Sequence, residues 1–300
     1  MSTGGYTPFL FKSHNISHVA HSAIKHAIRN GQITGIDLNM ALKPEFCEAC
    51  AKAKSAHQPY PKESKTRAKK FGEQVHWDLW GPASVKSLNG NHYMAAQIDD
   101  ATRQTKLYFQ AKKSQMFDSY KKDEAYIETQ TGNCIKVCCS NKGSEFMSTK
   151  MTDHQDSKGT KRELTVYDLP PQNGVSERGM RTRAEQAHAL LIASGLPCFL
   201  WEEAMRHSAW LQDCTPAHTL NGKTPYEAAN KKKPHLAGIQ EFGAAAYVKD
   251  LAAVKLDSQA KEGRFVGYDS ESKGYRIYWP EKRLISIEWN VVFNQDDINS

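Results

Sequence analysis

The pattern of apolar and polar residues along the middle of the chain predicts alternating strands and helices. Runs of β-branched and aromatic residues favour strands, and apolar residues at helical spacing favour helices. In chain order the pattern predicts strands at 75–80, 92–98 and 105–110, a helix at 116–129, a strand at 134–139, a short helix at 146–154, a strand at 163–167, a helix that ends at Gly195 and a helix at 200–212. This order is typical of an α/β fold in which helices cover both faces of a mixed sheet.

The pattern changes towards both ends of the chain. Residues 13–30 have helical periodicity, and residues 52–70 combine prolines with basic residues as linkers do. After a second boundary at 228–234, short runs of β-forming residues alternate with glycines and charged turns, which predicts a small β-barrel. These runs are 245–248, 264–268, 275–279 and 284–293.

Asp78 lies in the middle of the first predicted strand, among aromatic and β-branched residues. An acid in that setting is costly unless another group pairs with it. A solvated aspartate on an edge strand is the simpler alternative. Two later positions favour a paired acid: Asn141 lies in the polar turn after the strand at 134–139, and Glu177 lies in the first turn of the helix that ends at Gly195, with 35 residues between the two.

Composition and charge narrow the class of protein. The 300 residues carry a net charge of +7, and all of the excess lies in residues 1–72, which hold 11 basic and 4 acidic residues. The basic stretch at 52–70 would attract a phosphate backbone, and a solvated linker is the alternative. No apolar run approaches the roughly 20 residues that a membrane span needs. Seven cysteines without a secretory signal predict reduced thiols in an intracellular compartment.

Four residues near the N-terminus have the spacing of a zinc site. His14 and His18 are one helical turn apart, and Cys47 and Cys50 form a Cys-x-x-Cys pair. Two imidazoles and two thiolates can complete a tetrahedral zinc site, which would stabilise a module too small for a large core. Surface histidines with two free thiols are the alternative.

Two segments are the most distinctive in the chain: 171–178 (PQNGVSER) and 263–280 (GRFVGYDSESKGYRIYWP). With them, nearly the whole chain resembles the integrase region of copia-type LTR retrotransposon Pol polyproteins. The resemblance implies a ribonuclease-H-like integrase core, an α/β fold with a mixed five-stranded sheet flanked by helices. The implied domains are a helical zinc module at 1–60, a basic linker at 61–72, the core at 73–232 and an SH3-like β-barrel at 238–297. It also implies a fragment of a longer polyprotein, without the protease and reverse-transcriptase segments.

The resemblance implies a catalytic role for three positions. The family carries two aspartates and a glutamate, with 35 residues between the last two, and Asp78 and Glu177 match the first and third. By resemblance, this set would bind two magnesium or manganese ions for phosphoryl transfer to DNA. The second position holds Asn141, whose neutral amide binds a hard cation more weakly than a carboxylate. We therefore expect impaired catalysis.

The resemblance supports zinc at His14, His18, Cys47 and Cys50, and basic residues are candidates for contact with nucleic acid. A charged, solvated face is the alternative for each of them taken singly. The candidates are Lys65, Arg67, Lys69 and Lys70 near the linker, and Arg178 and Arg181, with Arg183 close by, at the start of the Glu177 helix.

The sequence predicts a retrotransposon integrase region that performs DNA integration by metal-dependent strand transfer, impaired in this copy. The alternative is a non-catalytic nucleic-acid-binding relic, or an inert subunit of a multimeric integrase. A ribonuclease-H-like nuclease is a third hypothesis, which the zinc module and the barrel disfavour. The expected partners are DNA (element ends and target), RNA as a second candidate, and further copies of the chain, with no membrane. We expect an intracellular protein that is nuclear when it acts on DNA.

Overall fold

A computed structural model describes residues 21–34, 48–53, 67–164 and 174–294. The chain forms two compact units, Met1–Lys62 and Glu63–Ser300. In the first unit the described helices are α1 (His21–Arg29) and α2 (Glu48–Ala53). Cys50 lies on α2, whereas His14, His18 and Cys47 lie outside the described residues. The zinc site therefore stays a prediction.

Among the described residues of the second unit, a central sheet has five strands in the order β3-β2-β1-β4-β5. Strands β1, β2 and β3 pair antiparallel, and β4 and β5 join them in parallel. Short turns suffice for the antiparallel pairs, whereas the step from β3 to β4 crosses over through a helix. The predicted mixed sheet is confirmed. The strands are β1 (Gln74–Trp80), β2 (Tyr93–Asp99), β3 (Thr105–Gln110), β4 (Val137–Ser140) and β5 (Lys161–Leu164).

Neighbouring strand residues point to opposite sides of this sheet, and apolar side chains lie on both sides. Helices therefore cover both faces. On one face Trp77 and Ala95 pack with Tyr120 of a first helix. On the other, Met94 and Ala96 pack with helices that follow β5. The helices are α3 (Met116–Thr131), α4 (Thr149–Lys158), α5 (Gly174–Ser194), α6 (Trp201–Asp213) and α7 (Pro225–Asn230). Each helix predicted in this unit is present within a few residues. Helix α7 was not predicted, although Thr224 caps it and Pro225 starts it, as helix-start rules allow.

A second sheet occupies the C-terminal part of the described chain, with five antiparallel strands in the order β10-β6-β7-β8-β9. Its own core contains Ala246, Phe265 and Ile277. The predicted strand at 284–293 is two strands joined by a tight turn. The strands are β6 (Ala245–Lys249), β7 (Ala260–Tyr268), β8 (Tyr275–Trp279), β9 (Leu284–Glu288) and β10 (Val291–Phe293).

Helix α6 packs between the two sheets. Its Met205 shares one apolar cluster with Met94 of the central sheet and with Val266 and Tyr278 of the second sheet. Arg276 of β8 donates two hydrogen bonds to the carboxylate of Glu203 on α6, at 2.7 and 2.9 Å. No helix in the described part of the chain is long and apolar enough to cross a membrane.

Candidate active site

The fold brings the three predicted catalytic positions to one end of the central sheet. Strand β4 runs parallel to β1 with His76 opposite Cys139, and the same register continued by two residues sets Asn141 beside Asp78. Side-chain alternation places Asp78 on the opposite face from Trp77, the face that α5 covers. Glu177 lies in the first turn of α5, where a negative charge is favoured by the helix dipole.

Asp78 is a buried carboxylate, only 8% exposed. Burial raises its pKa to about 6, and the charges of Glu177 and Glu145 add to that rise. The opposing influence is one hydrogen bond at 2.9 Å, in which the Leu79 backbone N–H donates to Asp78 Oδ1. Asp78 therefore lies within the electrostatic reach of two further carboxylates.

The amide of Asn141 links Asp78 to the turn after β4. Its Nδ2 donates to Asp78 Oδ1 at 3.4 Å, and its Oδ1 accepts from the Gly143 backbone N–H at 2.9 Å. A flipped amide would face an oxygen with an oxygen and an N–H with an N–H, so both contacts favour the same orientation. Asn141 consequently presents a donor, not a ligand oxygen, to Asp78.

Glu145 is a site residue that the sequence analysis missed. A Cβ atom placed on Gly143 would lie 2.4 Å from Glu145 Oε1 and 2.9 Å from Asn141 Oδ1. These two oxygens are therefore at most 5.3 Å apart, the sum of the two distances. Because Gly143 has no side chain, the Glu145 carboxylate folds back over the turn. The signal in the sequence was an acid four residues after Asn141.

The basic candidates divide into exposed and structural side chains. Arg178 and Arg181 are exposed near the start of α5, and Lys69 and Lys70 are exposed before β1. Arg67 instead donates to the carbonyl oxygens of residues that flank the core, namely Thr219, Asp100 and Ala101. Lys65 lies outside the described residues. Residues 67–72, assigned to the linker by sequence, thus hydrogen-bond to the core, as the Gly72 N–H does to Asp99 at 2.7 Å.

The donor set fits one magnesium ion better than two. Magnesium takes oxygen ligands and needs one or two carboxylates together with substrate phosphates. Asp78 and Glu177 meet that need, with Glu145 nearby. Asn141 does not, because its oxygen is used by Gly143. In the ranges that the structure describes, no three or more His, Cys, Asp or Glu side chains are grouped as a metal site, so an ion at Asp78 and Glu177 would need further ligands from substrate phosphates or water.

Comparison with known proteins relates both sheets to transposon and retroviral proteins. Residues 244–300 match the family of the retroviral polymerase SH3-like domain. A Pol polyprotein from the tobacco transposon TNT 1-94 is 30% identical over 256 residues, 85% of this chain and 19% of the polyprotein. One from the Arabidopsis thaliana transposon RE2 is 26% identical over 273 residues, 88% of this chain and 18% of the polyprotein. The chain thus spans about a fifth of the length of these relatives.

A solved structure has a fold similar to that of this chain. It is a chain of the simian T-cell lymphotropic virus intasome in complex with PP2A regulatory subunit B56 gamma. The likeness has a TM-score of 0.51 and 15% identity and covers 92% of this chain and 94% of that one. At this identity the likeness establishes the architecture alone.

Proposed function

The chain is related to the integrase region of copia-type retrotransposon Pol polyproteins, and on that premise we propose that it serves DNA integration with a weakened strand-transfer step. The observation that carries the proposal is the Asn141 amide, which donates to Asp78 where the family has a carboxylate. With an N–H donor at that position, residue 141 and Asp78 cannot both offer an oxygen to the same cation. Loss of one oriented ligand from a phosphoryl-transfer site costs a rate factor of at least ~10³.

Asp78 and Glu177 are the residues that would hold a magnesium ion, with Glu145 adding negative charge beside them. The ion would stabilise charge that develops on the phosphoryl oxygens. Asp78 must be ionised for this role, and its raised pKa makes the ion and a proton compete for it. The Leu79 N–H holds the Asp78 carboxylate in place.

Restoring the missing charge is the direct test. We expect Asn141→Asp to raise strand transfer on a matched DNA end in magnesium by about 10³, and Asp78→Asn to abolish it. Without metal, two carboxylates would repel each other, so the melting temperature of Asn141→Asp should depend on magnesium more than that of the wild type.

Two results would count against this proposal. Full wild-type activity in magnesium would show that the lost charge matters little. An inactive Asn141→Asp protein that is folded and binds magnesium would favour the non-catalytic alternative, a nucleic-acid-binding subunit or relic.

We propose DNA and further copies of the chain as partners, since the solved relative comes from an intasome. Arg178 and Arg181 are exposed on the first turns of α5, near Glu177. Changing both to Gln should lower DNA affinity and reduce the slope of log affinity against log salt by about two. Lys121→Gln with Lys122→Gln, both exposed on α3, which packs on the opposite face of the sheet, is the matched control. An unchanged slope in the arginine variant would mean that Arg178 and Arg181 face solvent and do not contact DNA.

Zinc binding by His14, His18, Cys47 and Cys50 is also proposed, on the spacing of these residues and on the family resemblance. Purified protein should carry about one zinc per chain. The double variant Cys47→Ser, Cys50→Ser should lose it, and stoichiometric zinc in that variant would refute the site.

A further inference from the structure

The segment that joins α7 to the second sheet is exposed and basic. It covers residues 231–239, with the sequence KKKPHLAGI, and we call it the basic segment. Eight of its nine residues are exposed, and Pro234 is partly buried. Both ends are anchored, because the Lys231 N–H donates to the carbonyl oxygen of Glu227 at 2.9 Å and Phe242, just beyond the segment, is buried in an apolar cluster. The segment is therefore held at its ends and open to solvent between them.

Three consecutive lysines give the basic segment its charge. Lys232 and Lys233 have no carboxylate partner among the residues that the structure describes. The Lys231 ammonium donates to the carbonyl oxygen of Ala228 at 2.7 Å. No acidic residue occurs from residue 228 to residue 240. The positive charge is therefore not neutralised locally, and it would attract an acidic surface.

The main chain of the basic segment is open as well. In the described structure no N–H group from Lys232 to Gly238 donates to another backbone group. A single turn lies within this stretch, closed by a hydrogen bond of 3.2 Å from the Ile239 N–H to the carbonyl oxygen of Leu236. A partner can consequently pair with main-chain groups of this segment in addition to its lysines.

Two aliphatic side chains follow the lysines. Leu236 is 39% exposed and Ile239 is 38% exposed. Phosphates of nucleic acid take hydrogen bonds from charged and polar side chains and from N–H groups, so aliphatic side chains add little to such contacts. A protein groove with acidic and apolar side chains would use the lysines, the main chain and both aliphatic residues. The combination favours a protein partner.

We propose that residues 231–239 dock in the acidic groove of a nuclear-import adaptor of the armadillo-repeat class. Lysine-rich peptides serve as nuclear localisation signals, and repeat proteins of this kind offer an extended concave surface to a peptide. The inference rests on the proposed function in one respect, that a chain that serves DNA integration must reach nuclear DNA. Docking itself requires neither a metal ion nor Asp78.

The test titrates the purified full chain with a purified armadillo-repeat import adaptor that lacks its own autoinhibitory segment. The titration is done at physiological ionic strength, without DNA or magnesium, and we expect saturable binding. Lys232→Gln with Lys233→Gln should lower the affinity at least about tenfold, because two charged anchors are lost. Leu236→Gln should lower it about threefold through lost apolar contact. Lys121→Gln with Lys122→Gln, two exposed lysines of α3, is the matched control and should bind like the wild type.

The outcomes separate this docking from other kinds of binding. Absence of saturable binding by the wild type, or unchanged affinity in the Lys232, Lys233 variant, would overturn the proposal. A parallel titration with duplex DNA covers the other partner. If the affinity for DNA, and not that for the adaptor, falls in the lysine variant, the segment contacts nucleic acid and the proposal is wrong.

Folding and catalysis do not confuse the result. The substituted residues are exposed, so the melting temperatures of the variants should match that of the wild type. If the lysine variant fails to fold, Leu236→Gln decides. Because the adaptor titration contains neither DNA nor metal, a failure of strand transfer leaves its outcome unchanged.

Discussion

At the scale of single residues, the Asn141 side chain supplies hydrogen bonds in the position where the family would bind a cation. Its amide gives Asp78 a donor and the turn an acceptor, so both ends of the amide are used. A hydrogen bond from a neutral amide offsets less of the cost of burying a carboxylate than an ion or a guanidinium would. Ionised Asp78 should therefore be a destabilising group in the metal-free protein.

The pH dependence of stability tests this consequence. The folded-state pKa of Asp78, about 6, lies above its ordinary value of 3.8, so the folded state binds the proton more tightly than the unfolded state does. The contribution of Asp78 to the free energy of unfolding is therefore fully present below pH 4. It falls as pH rises towards 6, by up to about 3 kcal/mol. In urea unfolding with a chelator, Asp78→Asn should lose this fall and exceed the wild type at pH 7.5. Asp153→Asn, at an exposed site on α4, should follow the wild type; a wild type without the fall would contradict the prediction.

Residue patterns predicted only part of the site. Asp78, Asn141 and Glu177 could be found because their spacing survives in the sequence. Glu145 was visible only as an acid four residues after Asn141; that its carboxylate lies at the site depends on how the turn folds over Gly143. Arg183 looked like Arg178 and Arg181 in the sequence, and only the packing of α5 on α6 buries it.

At the scale of elements, α6 is buried on more sides than its sequence indicates. The apolar spacing along this helix favours one inward side, and the first four of its five residues are buried: Trp201, Ala204, Met205, Ser208 and Leu211. Glu202, Glu203 and His207 are buried as well. Glu202 accepts from Ser87, and from Asn91 at 2.6 Å. Polar residues normally mark a solvent face, so the sequence did not show that a second sheet covers this helix.

His207 makes the packing of α6 sensitive to acid. Its ring is stacked on Trp210, at 6.0 Å between centroids, and meets Phe265 edge-on at 5.7 Å. Burial lowers its pKa to about 4 from 6.5, so the unfolded state takes up the proton first. Stability is lost as pH falls from 6.5 towards 4, by up to about 3 kcal/mol.

Replacing this ring isolates its effect. As pH falls from 7 to 4, the unfolding free energy of the wild type should fall more than that of His207→Phe, when the two are compared at each pH. The same comparison with the exposed His188→Phe should show little change, because His188 faces solvent. A constant difference for His207→Phe would mean that the ring is protonated without cost in the folded state.

At the scale of the whole molecule, the central and second sheets belong to one compact unit. The sequence predicted both sheets and a boundary between them near 228–234, but not the contact. Phe242 is buried in the apolar cluster of the central sheet. Val266 and Tyr278 of the second sheet, 24 and 36 residues further along the chain, are buried in the same cluster. Such long-range packing depends on shape across the two sheets and leaves no periodic pattern along the chain.

The Glu203–Arg276 pair gives a test of this joint packing. Glu203 is 1% exposed, and removing the partner of a buried charge typically costs about 3–5 kcal/mol. Arg276→Ala should lower stability by about that amount and leave a single unfolding transition for both sheets. Arg264→Ala on β7, whose side chain is 41% exposed, should cost less than about 1 kcal/mol. Two separate transitions in the wild type would show that the sheets unfold independently.

The same pair constrains how this sequence can drift from copy to copy. Positions 203 and 276 lie 73 residues apart, yet Glu203 needs its partner because its carboxylate is buried, while Arg276 is only partly exposed. A change at one position alone is penalised through the stability of both sheets, whether or not the copy still catalyses anything. Lineages that keep this fold should therefore keep the two charges together, or replace them together by an apolar pair.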